Sequence, residues 1–522
     1  FDILIHILSM TVSGSVSFIA EMEKQIVDII TKARNAFNSR KTQSLEFRKS
    51  QIRKVYQMLE ENEEAIVKAL DSDMKKPSFE TKLVETEYVK NDCRGMLFNL
   101  DEYTRPKSVS KNLPLITDHA TVRPQPLGLV LIIGTWNYPV MVTLSPLVGA
   151  IAAGNVAIIK PSELNPCTAD LLAKLIPHYL DNECYHVLNG GVEKTSVLLQ
   201  HKFDYIFFTG SHSVGKIIYS AAAKHLTPVT LEMGGKSPVF VDEELRDIEV
   251  SWRRILWGKV VNAGQTCVAP DYILCSVTIR DKLVKLTGKI LKKFFGDDPK
   301  NSPDFARIIN RRHFHRLQKL LLNTKGTIVY GGESDADLLY LGPTIVIDVK
   351  LDDPLMEDEI FGPILPIVTV EDEKEAISII NRRPKPLSLY VFSNRQEIIN
   401  RFIEQTSSGS FCANDVVVHL SADSLPFGGV GESGFGHYHG KHTFDMFSHQ
   451  KAVLVRNFFS FIEWVASKRY PPYSENHLRR LLRLLRKRNI PFMNAFSKNF
   501  DKILFFLLGA MVYYFFTSYF IR

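Results

Sequence analysis

Hydrophobic positions in this chain change period twice. Over residues 18–105 they recur every three to four places: Ile26, Ile29, Ile30 and Ala33, then Ile52, Val55, Tyr56 and Leu59, then Ile66 and Leu70. That is the spacing of amphipathic helices, each burying one face. Pro106 and the polar run after it close this region. From Leu129 the apolar residues come instead in short unbroken runs bounded by glycine and polar turns, at 129–134, 156–160, 185–188, 205–208 and 229–232. Helical stretches separate them at 140–153, 168–180, 193–200 and 214–225. Apolar strands alternating with helices predict an α/β fold with a parallel, doubly wound sheet. The alternation restarts after Gly235, with candidate strands at 239–241, 272–277, 344–347 and 387–392. Two α/β units therefore flank residues 232–236, and Glu232 falls at their junction, where clefts form.

The third pattern begins at Asn476. Leu478, Leu481, Leu482 and Leu485 fall on one helical face, with Arg479, Arg480, Arg483, Arg486 and Lys487 opposite, until Pro491 stops the helix. Residues 503–521 then run for nineteen positions without a charge. As a helix they would reach about 28 Å, close to the ~30 Å hydrocarbon core of a bilayer, and a transmembrane anchor is expected there. Residues 1–10 are apolar but too short to span and lack the basic start of a signal peptide, so residues 1–18 stay unassigned. A span at the C-terminal end inserts after synthesis and leaves the body facing the cytosol; endoplasmic reticulum and mitochondrial outer membrane both suit it.

Charge sharpens this picture. The net charge of +7 is carried by residues 477–502 alone, and the rest of the 522-residue chain sums to zero. A neutral body argues against nucleic-acid binding, and a basic block beside an apolar run suits an anionic lipid surface. The six cysteines (93, 167, 184, 267, 275 and 412) are scattered and form no C-x-x-C, so neither a metal site nor a disulfide framework is expected.

Four stretches carry candidate chemistry. Gly264-Gln265-Thr266-Cys267 offers a thiol nucleophile, although a lone cysteine is more often packing. Glu232, thirty-five residues upstream, offers a base. The turn from Gly210 and Ser211 to Gly215 and Lys216 follows a strand and opens a helix, a phosphate-binding arrangement. It nearly spells a P-loop, but Ile217 stands where a magnesium-binding hydroxyl is needed, which speaks against a nucleotide hydrolase. Lys160 and Glu163 end another strand, where a doubly wound sheet holds its ligand; they are either ribose ligands or a solvated pair. Asn137, in Gly134-Thr135-Trp136-Asn137-Tyr138-Pro139, is either an oxyanion donor or a turn former. The loop at 426–436 holds five glycines in eleven residues, which excludes a regular element and predicts a close-fitting loop.

In this order, Gly-x-Trp-Asn-Tyr-Pro, Ile-x-Lys-Pro-Ser-Glu, Phe-Thr-Gly-Ser, Leu-Glu-Met-Gly-Gly-Lys-Ser-Pro, Gly-Gln-Thr-Cys, Glu-Ile-Phe-Gly-Pro and Pro-Phe-Gly-Gly resemble the aldehyde dehydrogenase superfamily. The Gln-Thr-Cys-Val-Ala-Pro-Asp-Tyr form and the apolar tail resemble its class 3 branch, within it the tail-anchored fatty aldehyde dehydrogenases. The resemblance implies a Rossmann-type NAD-binding domain at 19–232, with a bridging segment near 110–128, and a catalytic domain at 233–430. A glycine-rich loop and dimerisation arm follow at 431–470, a basic amphipathic segment at 471–502 and the anchor at 503–521. It implies that Cys267 attacks the aldehyde to give a thiohemiacetal, with the Asn137 amide and the Cys267 N–H holding the oxyanion. Hydride transfer then leaves a thioester, which Glu232 hydrolyses by activating water. Lys160 and Glu163 would meet the adenosine ribose, and Gly210, Ser211 and Gly215, with Lys216 beside them, the pyrophosphate. Glu359 and Phe361 would position the nicotinamide end. The Glu163 carboxylate favours NAD over NADP, which remains the alternative cofactor. The expected partners are a long-chain aldehyde, with a smaller aromatic aldehyde as the alternative, membrane lipid, and a second copy paired through an arm at 447–455. An inactive membrane tether is the other reading of the chain, and an unreactive Cys267 would support it.

Overall fold

The computed structural model describes residues 2–112, 115, 117–486, 505–506 and 508–514. Its larger compact unit comprises residues 1–100 and 126–447, its smaller one residues 101–125 and 448–522. The larger unit contains two sheets. The first has the strand order Gly434–Phe435, Val229–Met233, Tyr205–Gly210, Leu129–Ile133, Val156–Lys160 and Tyr185–Val187. All its pairings are parallel except that of Gly434–Phe435, which runs antiparallel along Val229–Met233. Every residue of Leu129–Ile133 and Val156–Lys160 is buried, because helices cover both faces. The second sheet has seven strands, in the order Thr327–Tyr330, Thr344–Ile347, Ile364–Thr369, Tyr272–Cys275, Pro238–Val241, Ser388–Phe392 and Ser410–Ala413. Its core packs Trp252, Tyr272, Phe314, Tyr390 and Phe402, all nearly or fully inaccessible. Each such aromatic or aliphatic side chain contributes roughly 1.5–3 kcal/mol through burial. Trp252 keeps its N–H satisfied by donating to Thr287 Oγ1 at 3.0 Å.

Most predicted elements form within two residues of their expected ends. The strand expected over 272–277 stops at Cys275, because Ser276 caps a new helix, Val277–Phe295, by accepting the Ile279 N–H at 3.4 Å. Strands Thr327–Tyr330, Ile364–Thr369 and Ser410–Ala413 were not anticipated. The glycine-rich loop is more regular than expected: Gly431–Ser433 makes one helical turn, and Gly434 and Phe435 join the first sheet opposite Glu232 and Leu231. The N-terminal helix runs continuously over Asp2–Asn38, so no boundary appears at residue 18.

In the smaller unit, Lys107–Ser108, His119–Pro126 and Ser448–Val455 form a three-stranded sheet. The expected bridging segment and arm therefore belong to one body, and the arm pairs along one edge within its own chain. Arg456 and Asn457 fasten it by donating to Asp118 at 2.9 and 3.1 Å. The amphipathic helix forms over Glu475–Leu485, capped by Ser474, with Leu478, Leu482 and Leu485 exposed. Residues 487–504 and most of the proposed anchor at 503–521 lie outside the described residues. Among the described residues, no helix is long and apolar enough to cross a membrane.

Candidate active site

Cys267 is delivered by a break in the chain. The helix Ile248–Val260 ends in three consecutive left-handed residues, Asn262 (φ 53°), Ala263 (φ 51°) and Gly264 (φ 75°). A side chain is costly in that region, so the surroundings must hold it. The Asn262 N–H donates to Glu80 at 2.9 Å, and Asn262 Nδ2 donates to the carbonyls of Asn137 and Gln265 at 2.9 and 3.0 Å. Gln265 Nε2 returns a hydrogen bond to Asn262 O and another to Arg307 O. At Gly264 a Cβ would lie 2.3 Å from Gly362 O, so only glycine lets the two segments approach.

Cys267 opens onto a cavity of about 1070 Å³, whose walls also include Asn137, Gly210, Ser211, Glu232, Glu359 and Phe361. Seven predicted site residues thus meet. Glu232 lies on Val229–Met233, with Thr209 opposite on one neighbouring strand and Gly434 opposite on the other. It is almost inaccessible, and neither carboxyl oxygen has a hydrogen-bond partner among the described residues. Burial therefore raises its pKa well above the usual carboxylate range. Burial pushes the Cys267 thiol up to about 12, with the charges of Glu359 and Glu232 adding to the effect. The Asn137 side chain donates one N–H to Gln265 O at 3.1 Å.

The second side of the cavity is shaped by Trp136, which meets Phe361 edge-on at 5.2 Å and His313 at 5.1 Å. Glu359 presses against Gly234, where a Cβ would lie 2.0 Å from its carboxylate. Burial, reinforced by Asp271, pushes Glu359 up to about 8. The segment carrying it is anchored by Asp271, which accepts Lys236 Nζ at 2.8 Å and the Ile360 N–H at 3.2 Å. Burial opposes ionisation of Asp271, but Lys236 and Lys259 outweigh it and hold its pKa below the ordinary value.

Four predicted cofactor residues do not line this cavity. Lys160 donates to Glu163 at 2.7 Å at the C-terminal end of its strand. Burial raises the Glu163 pKa, but the Lys160 contact wins and leaves it below the usual range, so Glu163 stays ionised. Gly215 is a packing position: a Cβ there would lie 2.5 Å from Met233 Sδ. Lys216 is exposed on the helix His212–Ala223. The remaining features fit a dinucleotide. Gly210 and Ser211 bring the start of that helix to the cavity wall, its N-cap Ser211 makes no capping bond to the helix backbone, and the buried Thr209 hydroxyl beside it has no partner among the described residues.

Sequence reasoning missed Lys76, Glu80, Glu85, Lys259 and Asp271, which support the loops from behind. Their spacing carries no local signal: Lys76 and Glu85 are nine positions apart, outside the i, i+4 reach of a helix.

Comparison with known proteins agrees with this geometry. The aldehyde dehydrogenase family model matches residues 11–453. Aldehyde dehydrogenase family 3 member A2 of Mus musculus is 49% identical over 455 residues, covering 87% of this chain and 92% of its own. Family 3 member B1 of Rattus norvegicus is 48% identical over 461 residues, covering 88% and 97%. The substrate-bound structure of Staphylococcus aureus AldH superposes with a TM-score of 0.81 at 44% identity, covering 83% of this chain and 94% of that one. By family match, identity and fold, this chain belongs to the aldehyde dehydrogenase family and is an NAD(P)-dependent aldehyde dehydrogenase.

Proposed function

We propose that this enzyme oxidises long-chain aliphatic aldehydes to fatty acids at a membrane surface, with NAD as the preferred acceptor. One observation carries the chemistry: Cys267, Asn137 and Glu232, whose carboxyl has no partner among the described residues, face a single cavity. Cys267 Sγ adds to the aldehyde carbon, and the second N–H of the Asn137 amide and the Cys267 N–H stabilise the oxyanion. A dinucleotide held in the cavity would supply the hydride acceptor. Gly210, Ser211, Glu359 and Phe361 would hold its phosphates and nicotinamide end, and Lys160 and Glu163 its adenosine ribose. Ionised Glu163 repels a 2′-phosphate, which favours NAD. Glu232 takes a proton from the water that cleaves the thioester; with no hydrogen bond to surrender among the described residues, it is free to bind that water.

Three features support the substrate class. The cavity, at about 1070 Å³, slightly exceeds the ~300–1,000 Å³ range of ordinary ligand sites. Its lining also includes Leu83, Val84, Val142, Val418 and Leu420. The uncharged run at 503–521, behind a basic block, supports anchoring to an anionic membrane with the body on the cytosolic side. The exposed strand Ser448–Val455 is the proposed pairing surface of a homodimer.

The test is NADH formation from hexadecanal by detergent-solubilised protein beside Cys267→Ala. Turnover should vanish in the variant. Each methylene buried adds about 0.8 kcal/mol, so kcat/KM should climb about three- to fourfold per carbon along a short-chain series before levelling. A preference for benzaldehyde over hexadecanal would refute the long-chain reading and leave the mechanism standing.

A further inference from the structure

The turn carrying Asn137 is irregular and must nevertheless aim one amide N–H at the carbon that Cys267 attacks. Lys76 and Glu85 lie behind it, 2.6 Å apart and completely inaccessible. Lys76 Nζ also donates to Asn137 O at 3.1 Å and stands 3.9 Å from the centre of the Tyr138 ring. The other Glu85 oxygen accepts the N–H groups of Val140 and Met141 at 3.0 and 2.9 Å. These amides open the helix Met141–Ala153, whose own N-cap residue makes no side-chain bond. The ion pair therefore grips the turn at the Asn137 carbonyl and again three residues on. A π-helical turn at Lys82–Thr86 places Glu85 and Thr86, adjacent in sequence, in the interior together. The network continues to the nucleophile: Asn262 Nδ2 donates to Asn137 O and to Gln265 O, and Gln265 O also accepts Asn137 Nδ2.

A buried ion pair adds little stability over an apolar replacement, because desolvation cancels most of the attraction. From its double grip we infer that Lys76 and Glu85 are positioning residues that set the direction of the Asn137 oxyanion donor. The inference rests on the role given to Asn137 above. Two probes of the same sulfur separate positioning from folding. With 4-nitrophenyl acetate, the Cys267 thiolate attacks the ester carbonyl, 4-nitrophenolate leaves and a thioester remains; an oxyanion forms and no cofactor is needed. With iodoacetamide, the thiolate displaces iodide and no oxyanion forms.

The variant Lys76→Met/Glu85→Leu removes both charges and leaves neither stranded. Nitrophenolate release should slow about ten- to a hundredfold, as a misplacement near 1 Å would cause, while alkylation stays within about twofold. In an Asn137→Ala background the double substitution should cause no further loss of acyl transfer. Unchanged acyl transfer, equal slowing of both reactions, or the same loss without Asn137 would overturn the inference. Should the double variant not fold, Glu85→Gln read in the same assays decides, with a smaller loss confined to acyl transfer expected. A wild-type protein alkylated at Cys267 but inert to both ester and hexadecanal would overturn the roles given to Cys267 and Asn137 themselves.

Discussion

Gly434→Ala should disable the site without altering any reacting group. Gly434 pairs with Glu232 across antiparallel strands and has φ 126°, a conformation that side chains rarely adopt. A Cβ there would lie 1.9 Å from Leu231 O and 3.0 Å from Leu231 C. Ordinary contact begins near 3.4 Å, so alanine forces the two segments about 1.5 Å apart. The backbone strain costs roughly 1–3 kcal/mol, and each ladder hydrogen bond lost costs about 1 kcal/mol more, for a total near 3–5 kcal/mol. Any part of that displacement taken up by the strand carrying Glu232 moves its carboxyl, and a shift of about 1 Å in a catalytic group costs up to ~100-fold in rate. The variant should melt several degrees lower. In stopped-flow assays with hexadecanal and NAD, the first turnover of NADH should survive better than steady-state turnover, because Glu232 acts after hydride transfer. Alkylation of Cys267 should be unchanged. Wild-type melting and turnover would refute the steric argument, and an equal fall in burst and steady state would break the link to Glu232.

Turnover should rise with pH through the neutral and alkaline range, because Glu232 must be ionised to take a proton from water and burial holds it protonated well above the usual carboxylate pKa; a flat kcat profile would contradict this. The rate of Cys267 alkylation without cofactor should keep rising toward about pH 12, the value to which burial and the two nearby carboxylates push its thiol; a plateau near pH 7 would show a thiolate stabilised by something else. Glu359, raised to about 8, binds a proton in the folded chain that the unfolded chain has released. Its stabilising effect is complete below the unfolded carboxylate pKa and is lost as pH rises to about 8, so Glu359→Gln should lose less melting temperature than wild type between pH 5 and 8. Gly264→Ala should abolish turnover and accelerate proteolysis, since its Cβ would meet Gly362 O at 2.3 Å in a left-handed residue; soluble, active G264A enzyme would refute the close approach.

What could be read from the chain follows a physical division. The motifs at 134–139, 208–211 and 232–237 end buried parallel strands, and a doubly wound sheet brings such ends to one crevice whatever the details. Their convergence on the cavity was therefore legible from local pattern and topology. Ile364–Thr369 escaped because Pro366 interrupts a run that already begins just after Gly362-Pro363, and the edge strands Thr327–Tyr330 and Ser410–Ala413 because their half-exposed residues lack the unbroken apolar signature. The glycine-rich loop was misread as irregular because its order comes from a neighbour: Gly434 gains strand geometry only along Leu231 and Glu232. The same reasoning explains the five supporting charges. Asp271 looks like any acid after a proline until Lys236 and Lys259 arrive from other elements, and Lys76 and Glu85 look like solvated residues until the Asn137 turn packs over the pair they form. Reactivity obeys this rule most sharply. Cys267 and Cys275 are eight residues apart, and their thiols are both raised by burial to about 12. Of the two, only Cys267 opens to a cavity shared with a carboxyl that has no partner among the described residues, a relation that exists between elements and that no local window of sequence contains.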